Sequence, residues 1–299
     1  MVVGLVGCGN WGRHVLRDLI ALGCEVPVVA RSPQSHARAD EGGAAVVVPD
    51  VESLPRLDGL VVATATSSHA DVLDEVLAFG IPVFCEKPLT VDPETATRLA
   101  AFAPDRLFVM DKWRYHPGVL ELAAIARHAS LGAVSGLRTV RVDWGHPHDD
   151  VDPVWVLAPH DLAIAFEILG GESRPEAAVA QRRDGEVLHL EAILLRNEVW
   201  HALRVSGRVA ERKRAVELYC ADGVAVLADG WDEHITIYRD ERGSVAEERV
   251  ETPGELPLLA ELRAFVGHVA GGPPPRSSAA EGAAVVSAIA ELRRLARVS

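Results

Sequence analysis

Val2-Val3-Gly4-Leu5-Val6-Gly7-Cys8-Gly9-Asn10-Trp11-Gly12, at the head of the chain, decides the fold. A short apolar run ends in glycines. Apolar residues Val15, Leu16, Leu19 and Ile20 then recur at helical spacing across residues 10–22. Gly-x-Gly-x-x-Gly alone is a weak signal, but between a strand and a helix it is the pyrophosphate-binding turn of a βαβ unit. Gly7 makes the tight turn, Gly9 lets the backbone approach a ligand, and Gly12 permits close helix–strand packing. The unpaired amides of the helix N-terminus then face the phosphates. A glycine-rich turn without a ligand is the competing reading.

Working outward, residues 26–30, 44–48, 59–63, 82–85 and 107–110 read as short buried strands. Helices lie between them, opened by Ser32-Pro33 and by Asp92-Pro93-Glu94 and spanning residues 67–79. This alternation predicts a doubly wound parallel sheet with helices on both faces. After residue 115 the rhythm changes. A helix over 119–128, a long strand over 134–144 and a helix over 159–169 precede strand-like runs at 177–182, 188–195, 199–205, 215–220, 224–227 and 235–238. Asp184-Gly185, Asp222-Gly223 and Arg242-Gly243 suit hairpin turns. Helices follow over 256–269 and 279–296. The prediction is an α/β chain: a dinucleotide-binding domain over 1–115, and an α+β domain over 116–299 with a mostly antiparallel open sheet for substrate binding and oligomerisation. The terminal helix is expected to pack back on the first domain.

The composition excludes several classes. A formal charge of −13 over 299 residues argues against a nucleic-acid surface. No apolar run is long enough for a membrane span. The first residues lack the basic region of a signal peptide, and Cys8, Cys24, Cys85 and Cys220 show no CxxC spacing. They read as reduced thiols in a cytoplasmic protein, not as a zinc site. Of 30 basic residues only Lys87, Lys112 and Lys213 are lysines.

Ala30-Arg31-Ser32 stands at the end of the second strand, where a carboxylate would hold the ribose 2′-hydroxyl of NAD. An arginine and a hydroxyl there suit a 2′-phosphate, so NADP(H) is favoured over NAD(H). A solvated loop arginine stacking on adenine is the other reading of Arg31.

Glu86-Lys87-Pro88, at the end of the fifth strand, resembles the EKP signature of the glucose–fructose oxidoreductase/inositol dehydrogenase/rhizopine-catabolism (Gfo/Idh/MocA) family. Gly7 to Gly12, Ala65-Thr66-Ser67-Ser68-His69, Arg114-Tyr115-His116-Pro117 and Leu157-Ala158-Pro159-His160-Asp161 resemble its other motifs, in the right order over about half of the chain. The resemblance implies a Rossmann domain joined to a larger open-sheet domain, hydride transfer to or from a sugar-like carbon with NAD(P), and a homodimer or homotetramer. It implies cofactor contacts from Gly7, Gly9, Asn10, Trp11, Gly12, Arg31, Ser32, Thr64, Ala65, Thr66, His69, Glu86 and Lys87. Lys112, Arg114, Tyr115, Trp144 and Asp161 are expected around the substrate, and no metal.

The chemistry of Lys87 stands without the resemblance. Oxidising an alcohol needs a group that hydrogen-bonds its oxygen and takes its proton, which a lysine can do as the neutral amine, returning it as the ammonium, and a guanidinium cannot. A salt bridge with Glu86 is the bland reading. His160 is expected in the first turn of a helix, where the N-terminus would lower its pKa, as a proton partner for Lys87 or a hydrogen bond to the carbonyl. A structural capping histidine is the alternative. The family often has an aspartate four residues before this histidine. Here that position is Val156, and Asp161 is the candidate substitute or a carboxylate favouring the helix dipole. Pro88 is expected to hold Lys87 through a restricted peptide bond, trans or cis.

The weaker features read as structural. His146, His148, Asp149 and Asp150 are too crowded for a metal site and suit a substrate-side loop. Arg208, Arg212, Lys213 and Arg214 read as a solvated sheet edge. Trp144 and Trp155 suit a sugar face or the core. The leading reading is an NADP(H)-dependent oxidoreductase of a sugar-like, nucleotide-linked ketone or alcohol. The alternatives are an imine reductase and a non-catalytic NADP-sensing member.

Overall fold

The computed structural model describes residues 1–145, 150–241 and 243–298. Elements follow in the order β1 (Val3–Val6), α1 (Gly12–Ala21), β2 (Pro27–Val29), α2 (Pro33–Glu41), β3 (Val46–Val48), β4 (Gly59–Val62), α3 (His69–Val76), β5 (Val83–Glu86), α4 (Pro93–Phe102) and β6 (Leu107–Met110). Then come α5 (Pro117–His128), β7 (Val134–Trp144), α6 (Pro153–Leu169), β8 (Arg174–Arg183), β9 (Glu186–Arg196), β10 (Val199–Ser206) and β11 (Arg208–Cys220). The chain finishes with β12 (Gly223–Leu227), β13 (His234–Glu241), β14 (Ser244–Glu251), α7 (Pro257–Val269) and α8 (Ala279–Leu295). Two compact units result: Met1–Lys112 with Leu256–Val286, and Trp113–Glu255 with Ser287–Ser299.

In the first unit six strands pair in parallel in the order β3-β2-β1-β4-β5-β6. β1 and β4, at the centre, are buried along their whole length, as a sheet covered on both faces requires. Val15, Leu16 and Leu19 of α1 and Leu262 and Phe265 of α7 pack with Leu5, Val28 and Phe84 into one core. Phe84 stacks on Phe265 with ring centroids 5.0 Å apart. Ser32 caps α2 in a capping box and Asp92 caps α4, as their side chains predict.

In the second unit eight strands run β14-β13-β12-β11-β7-β10-β9-β8. Only the β7–β10 pairing is parallel; the others are antiparallel. Val119 and Leu122 of α5 and Ile164, Ala165 and Ile168 of α6 bury Leu137, Val216, Leu218 and Ile235 on one face.

Three expectations change. The strand predicted over 215–220 begins at Arg208; β12 pairs only with Val216–Cys220, so the arginine run has β7 on one side and, among the described residues, no strand on the other, and Arg208, Arg212 and Lys213 are exposed, as a solvated edge requires. Its register against β7 shifts between Arg208 and Lys213, a bulge of the kind that sheet edges carry. β14, the last strand on that side, was not anticipated. Its charged sequence hid it, and such charge protects an edge strand. The helix predicted to begin at residue 159 begins at Pro153, capped by Asp152, whose Oδ1 accepts from Val154 N and Trp155 N. Pro159 sits inside it. His146 to Asp149 of the loop considered for a metal lie outside the described residues, and among the described residues no cluster could hold a metal ion. No described helix is long and apolar enough to cross a membrane.

Candidate active site

The first unit gathers the nucleotide-binding candidates at the C-terminal ends of its strands, where open α/β sheets take ligands. Gly7 has φ +97°, and a Cβ on it would lie 2.7 Å from Ala63 O. A Cβ on Gly12 would lie 2.2 Å from Gly7 O, so only glycine lets α1 sit so close. Gly9 faces open space: a Cβ there would meet nothing within 4 Å. α1 has no side-chain cap and no acidic residue in its first turn, and although Arg13 N donates to Gly9 O and His14 N to Trp11 O, its positive N-terminal end is left to attract an anion. These residues fit the pyrophosphate of a dinucleotide.

Glu86 joins this turn to the EKP segment. The Trp11 indole N–H donates to its Oε1, and its Oε2 accepts from Lys87 N at 3.0 Å. Burial pushes the Glu86 carboxyl up, while the Lys87 and Lys112 ammoniums and the Trp11 bond pull it back. Lys112 lies 4.3 Å over the Trp11 ring. The Lys87–Pro88 peptide is cis, one of the two forms expected. His69 is buried between two carbonyls, with Nδ1 2.8 Å from Pro88 O and Nε2 3.3 Å from Thr64 O. It braces the segments bearing Lys87 and Thr64. Thr66 is buried, whereas Ala65 and Asn10 are exposed. Arg31 is exposed, 3.7 Å from Glu75, and Ser32 is occupied in capping α2.

Sequence reasoning missed Glu261 of α7. It is buried, and neither carboxylate oxygen has a hydrogen-bond partner. Burial pushes it well above the usual carboxylate range, and Glu86 and Asp111 push it further. A lone glutamate in a helix gives no signal of this until the sheet ends are placed.

In the second unit His160 is half-buried in the middle of α6, one turn after the buried Val156. The expectation of a first-turn histidine beside a helix N-terminus is therefore corrected, along with the pKa argument built on it. Asp161 is likewise no first-turn carboxylate. It is 1% exposed and pairs with Arg141, whose Nε donates to Oδ1 at 3.0 Å. Burial raises the Asp161 carboxyl and Arg141 lowers it. Arg141 lies 4.4 Å over the Trp113 ring, and Trp113 meets His160 edge-on at 6.4 Å between centroids. Trp113 also stacks on His116 at 5.3 Å. Arg141 and Trp113 were not singled out in the sequence because their neighbours come from distant elements.

Arg114 is buried against Glu167, Nε donating to Oε2 at 3.0 Å, and Tyr115 is half-buried beside it in sequence. Trp144 is exposed with Arg208 5.2 Å over its ring, and Trp155 is buried.

Comparison with known proteins agrees with this geometry. Residues 1–108 match the model of the oxidoreductase family with an NAD-binding Rossmann fold. The chain is 26% identical to the UDP-N-acetylglucosamine 3-dehydrogenase of Acidithiobacillus ferrooxidans, over 98% of this chain and 96% of that one. It is 34% identical to an inositol 2-dehydrogenase of Acidothermus cellulolyticus over 62% of this chain and 58% of the other. A solved structure of the Acidithiobacillus enzyme superposes with a TM-score of 0.87 at 25% identity, covering 99% of this chain and 97% of that one.

Proposed function

The chain belongs to the Gfo/Idh/MocA family of NAD(P)-binding oxidoreductases of sugar-like CH–OH groups, and from that premise we propose an NADP(H)-dependent enzyme that interconverts an alcohol and a ketone on a nucleotide-linked sugar. The full-length likeness to a UDP-N-acetylglucosamine dehydrogenase supports the substrate class. The exposed Arg31, with no carboxylate at the end of β2, supports the phosphorylated cofactor. The same reading has residues 1–115 as the dinucleotide domain, 116–299 as the substrate domain, and a cytoplasmic homodimer or homotetramer.

The nicotinamide, when bound, supplies or accepts the hydride. Gly7, Gly9 and the first amides of α1 would hold its pyrophosphate, and Arg31 its 2′-phosphate. Lys87 takes the hydroxyl proton as the alcohol is oxidised and returns it to the ketone oxygen in the reverse direction. His160 is the second proton-handling group. Glu86 fixes the main chain at Lys87 and ties it to Trp11, and this is the observation that carries the assignment.

The test is NADPH oxidation with ketosugars, free and nucleotide-linked, by wild type and Lys87→Ala. A loss of 100-fold or more in kcat with cofactor binding kept is expected for a proton-transfer group. Equal rates in both proteins would remove Lys87 from the chemistry. Reduction of cyclic imines alone would shift the reading to an imine reductase. Cofactor binding without turnover of anything would make the chain a sensor.

A further inference from the structure

Within the solvated arginine run of β11, Arg214 stands apart by its burial. We propose that Arg212, Arg214 and Trp231 form a subsite for the nucleoside diphosphate of the substrate, the diphosphate on the two guanidiniums and the base on the indole. This rests on the nucleotide-linked reading above.

Arg214 is held at a cost. Its side chain is 16% exposed, and its Nη1 is buried with no hydrogen-bond partner. Its Nη2 reaches Asp143 Oδ2 only at 3.5 Å, and Arg212 Nε stands 3.6 Å from the same oxygen. Two guanidiniums with about ten N–H donors between them thus share one carboxylate oxygen at long range. Asp161, on the same face, is taken by Arg141, and Asp229 bonds the main chain of its own turn. Burial and the charges of Arg141 and Arg212 push Arg214 down from its ordinary value, against Asp143 and Asp229. A bound anion would relieve that repulsion and satisfy the orphaned donor.

Beside this pair stands an aromatic surface that the fold keeps open. Trp231 is 70% exposed, with the Arg212 guanidinium 5.5 Å from its ring centroid. Its turn is braced: Trp231 N donates to Asp229 Oδ1, Asp229 N donates to Asp232 Oδ2, and Gly230 O accepts from His116 Nε2. Gly230 packs so close that a Cβ would lie 2.1 Å from the Trp113 ring. An exposed indole on a braced turn, next to guanidiniums with donors to spare, suits a planar base joined to phosphates.

The cluster is continuous with His160 inside the same unit. Arg214 neighbours Arg141, Arg141 covers Trp113, and Trp113 meets His160. The order histidine, arginines, tryptophan matches the order sugar, diphosphate, base. With −13 overall, the chain offers no broad polyanion surface, and the anion it suits is small.

Calorimetric titration of the full chain with UDP, uridine and inorganic pyrophosphate tests this, together with the KM for UDP-N-acetylglucosamine. Arg212→Ala and Trp231→Ala should each weaken UDP about tenfold and raise that KM at least as much. Pyrophosphate should be lost with Arg212→Ala and kept with Trp231→Ala. Arg214→Gln keeps the side-chain bulk if Arg214→Ala misfolds. Arg249→Ala, an exposed arginine on β14, is the control and should leave UDP affinity unchanged. If the wild type oxidises the UDP-sugar and every variant keeps its KM and UDP affinity, the subsite is refuted while the substrate class stands. If the wild type binds no UDP and turns over only unlinked sugars, the nucleotide-linked reading falls, and the subsite with it.

Discussion

Trp11 and Glu86, 75 positions apart in sequence, are joined by a hydrogen bond from the indole N–H to the carboxylate. The glycine turn after β1 and the EKP turn after β5 are therefore one mechanical piece. Glu86 is 8% exposed, so its carboxylate depends on the partners that reach it: Trp11 on one oxygen and Lys87 N on the other. The cofactor turn and the candidate proton donor share a single buried acid.

Trp11→Phe keeps the ring and removes the donor. It leaves the buried Glu86 short of a partner, a loss of about 1–3 kcal/mol. A lower Tm and roughly tenfold weaker NADPH binding by fluorescence titration are expected. Unchanged values for both would show that the tie is idle.

Gly9 and Gly12 separate binding from folding. A methyl at Gly9 meets no protein atom, so Gly9→Ala should fold with wild-type Tm yet lose dinucleotide binding by 10-fold or more. A methyl at Gly12 strikes the backbone at Gly7, and Gly12→Ala should lower stability by about 1–3 kcal/mol. Wild-type cofactor affinity in Gly9→Ala would mean that the phosphates lie elsewhere.

This contrast also shows why the first unit was legible from sequence and the second less so. Glycines, caps such as Ser32 and Asp92, and buried parallel strands act over a few residues, so their pattern is local. Arg141, Asp161 and Trp113 are meaningful only once β7, α6 and the turn after β6 come together. β14 was invisible because an exposed edge strand carries charge in place of alternating apolar residues. Pro159 suggested a helix start, but the cap that starts α6 is Asp152, seven residues earlier.

Arg31 sets the cofactor preference if the proposed function holds. Removing a guanidinium from a 2′-phosphate should weaken NADP(H) about tenfold or more and leave NAD(H) within twofold. Kd values of Arg31→Ala for both cofactors decide it. An equal loss for both would reassign Arg31 to stacking on the adenine.

Asp161 and Arg141 form a buried pair whose halves cannot be separated cheaply. Asp161→Ala strands a guanidinium that is 3% exposed and should cost about 3–5 kcal/mol in urea unfolding. The double variant with Arg141→Met should recover most of that. Because Arg141 covers the Trp113 ring that meets His160, Arg141→Lys should shift the pH profile of kcat/KM with little change in Tm. A profile identical to wild type would confine the pair to a structural role.

His201 makes acid stability depend on one buried ring. It sits on β10 with Nε2 3.0 Å from Thr139 Oγ1, and burial lowers its pKa from 6.5 to about 3. The unfolded chain takes a proton on this residue as pH falls through about 6.5, whereas the folded chain refuses it until about 3. The unfolded state binds more protons in that window, so stability falls with falling pH, by up to about 1.4 kcal/mol per unit and on the order of 5 kcal/mol in all. His201→Gln cannot titrate, and its unfolding free energy from pH 6.5 to 4.5 should fall less steeply than that of wild type by roughly that slope. Carboxylates titrate equally in both proteins, so the difference isolates the histidine. Parallel curves for the two would show that His201 accepts its proton in the folded state.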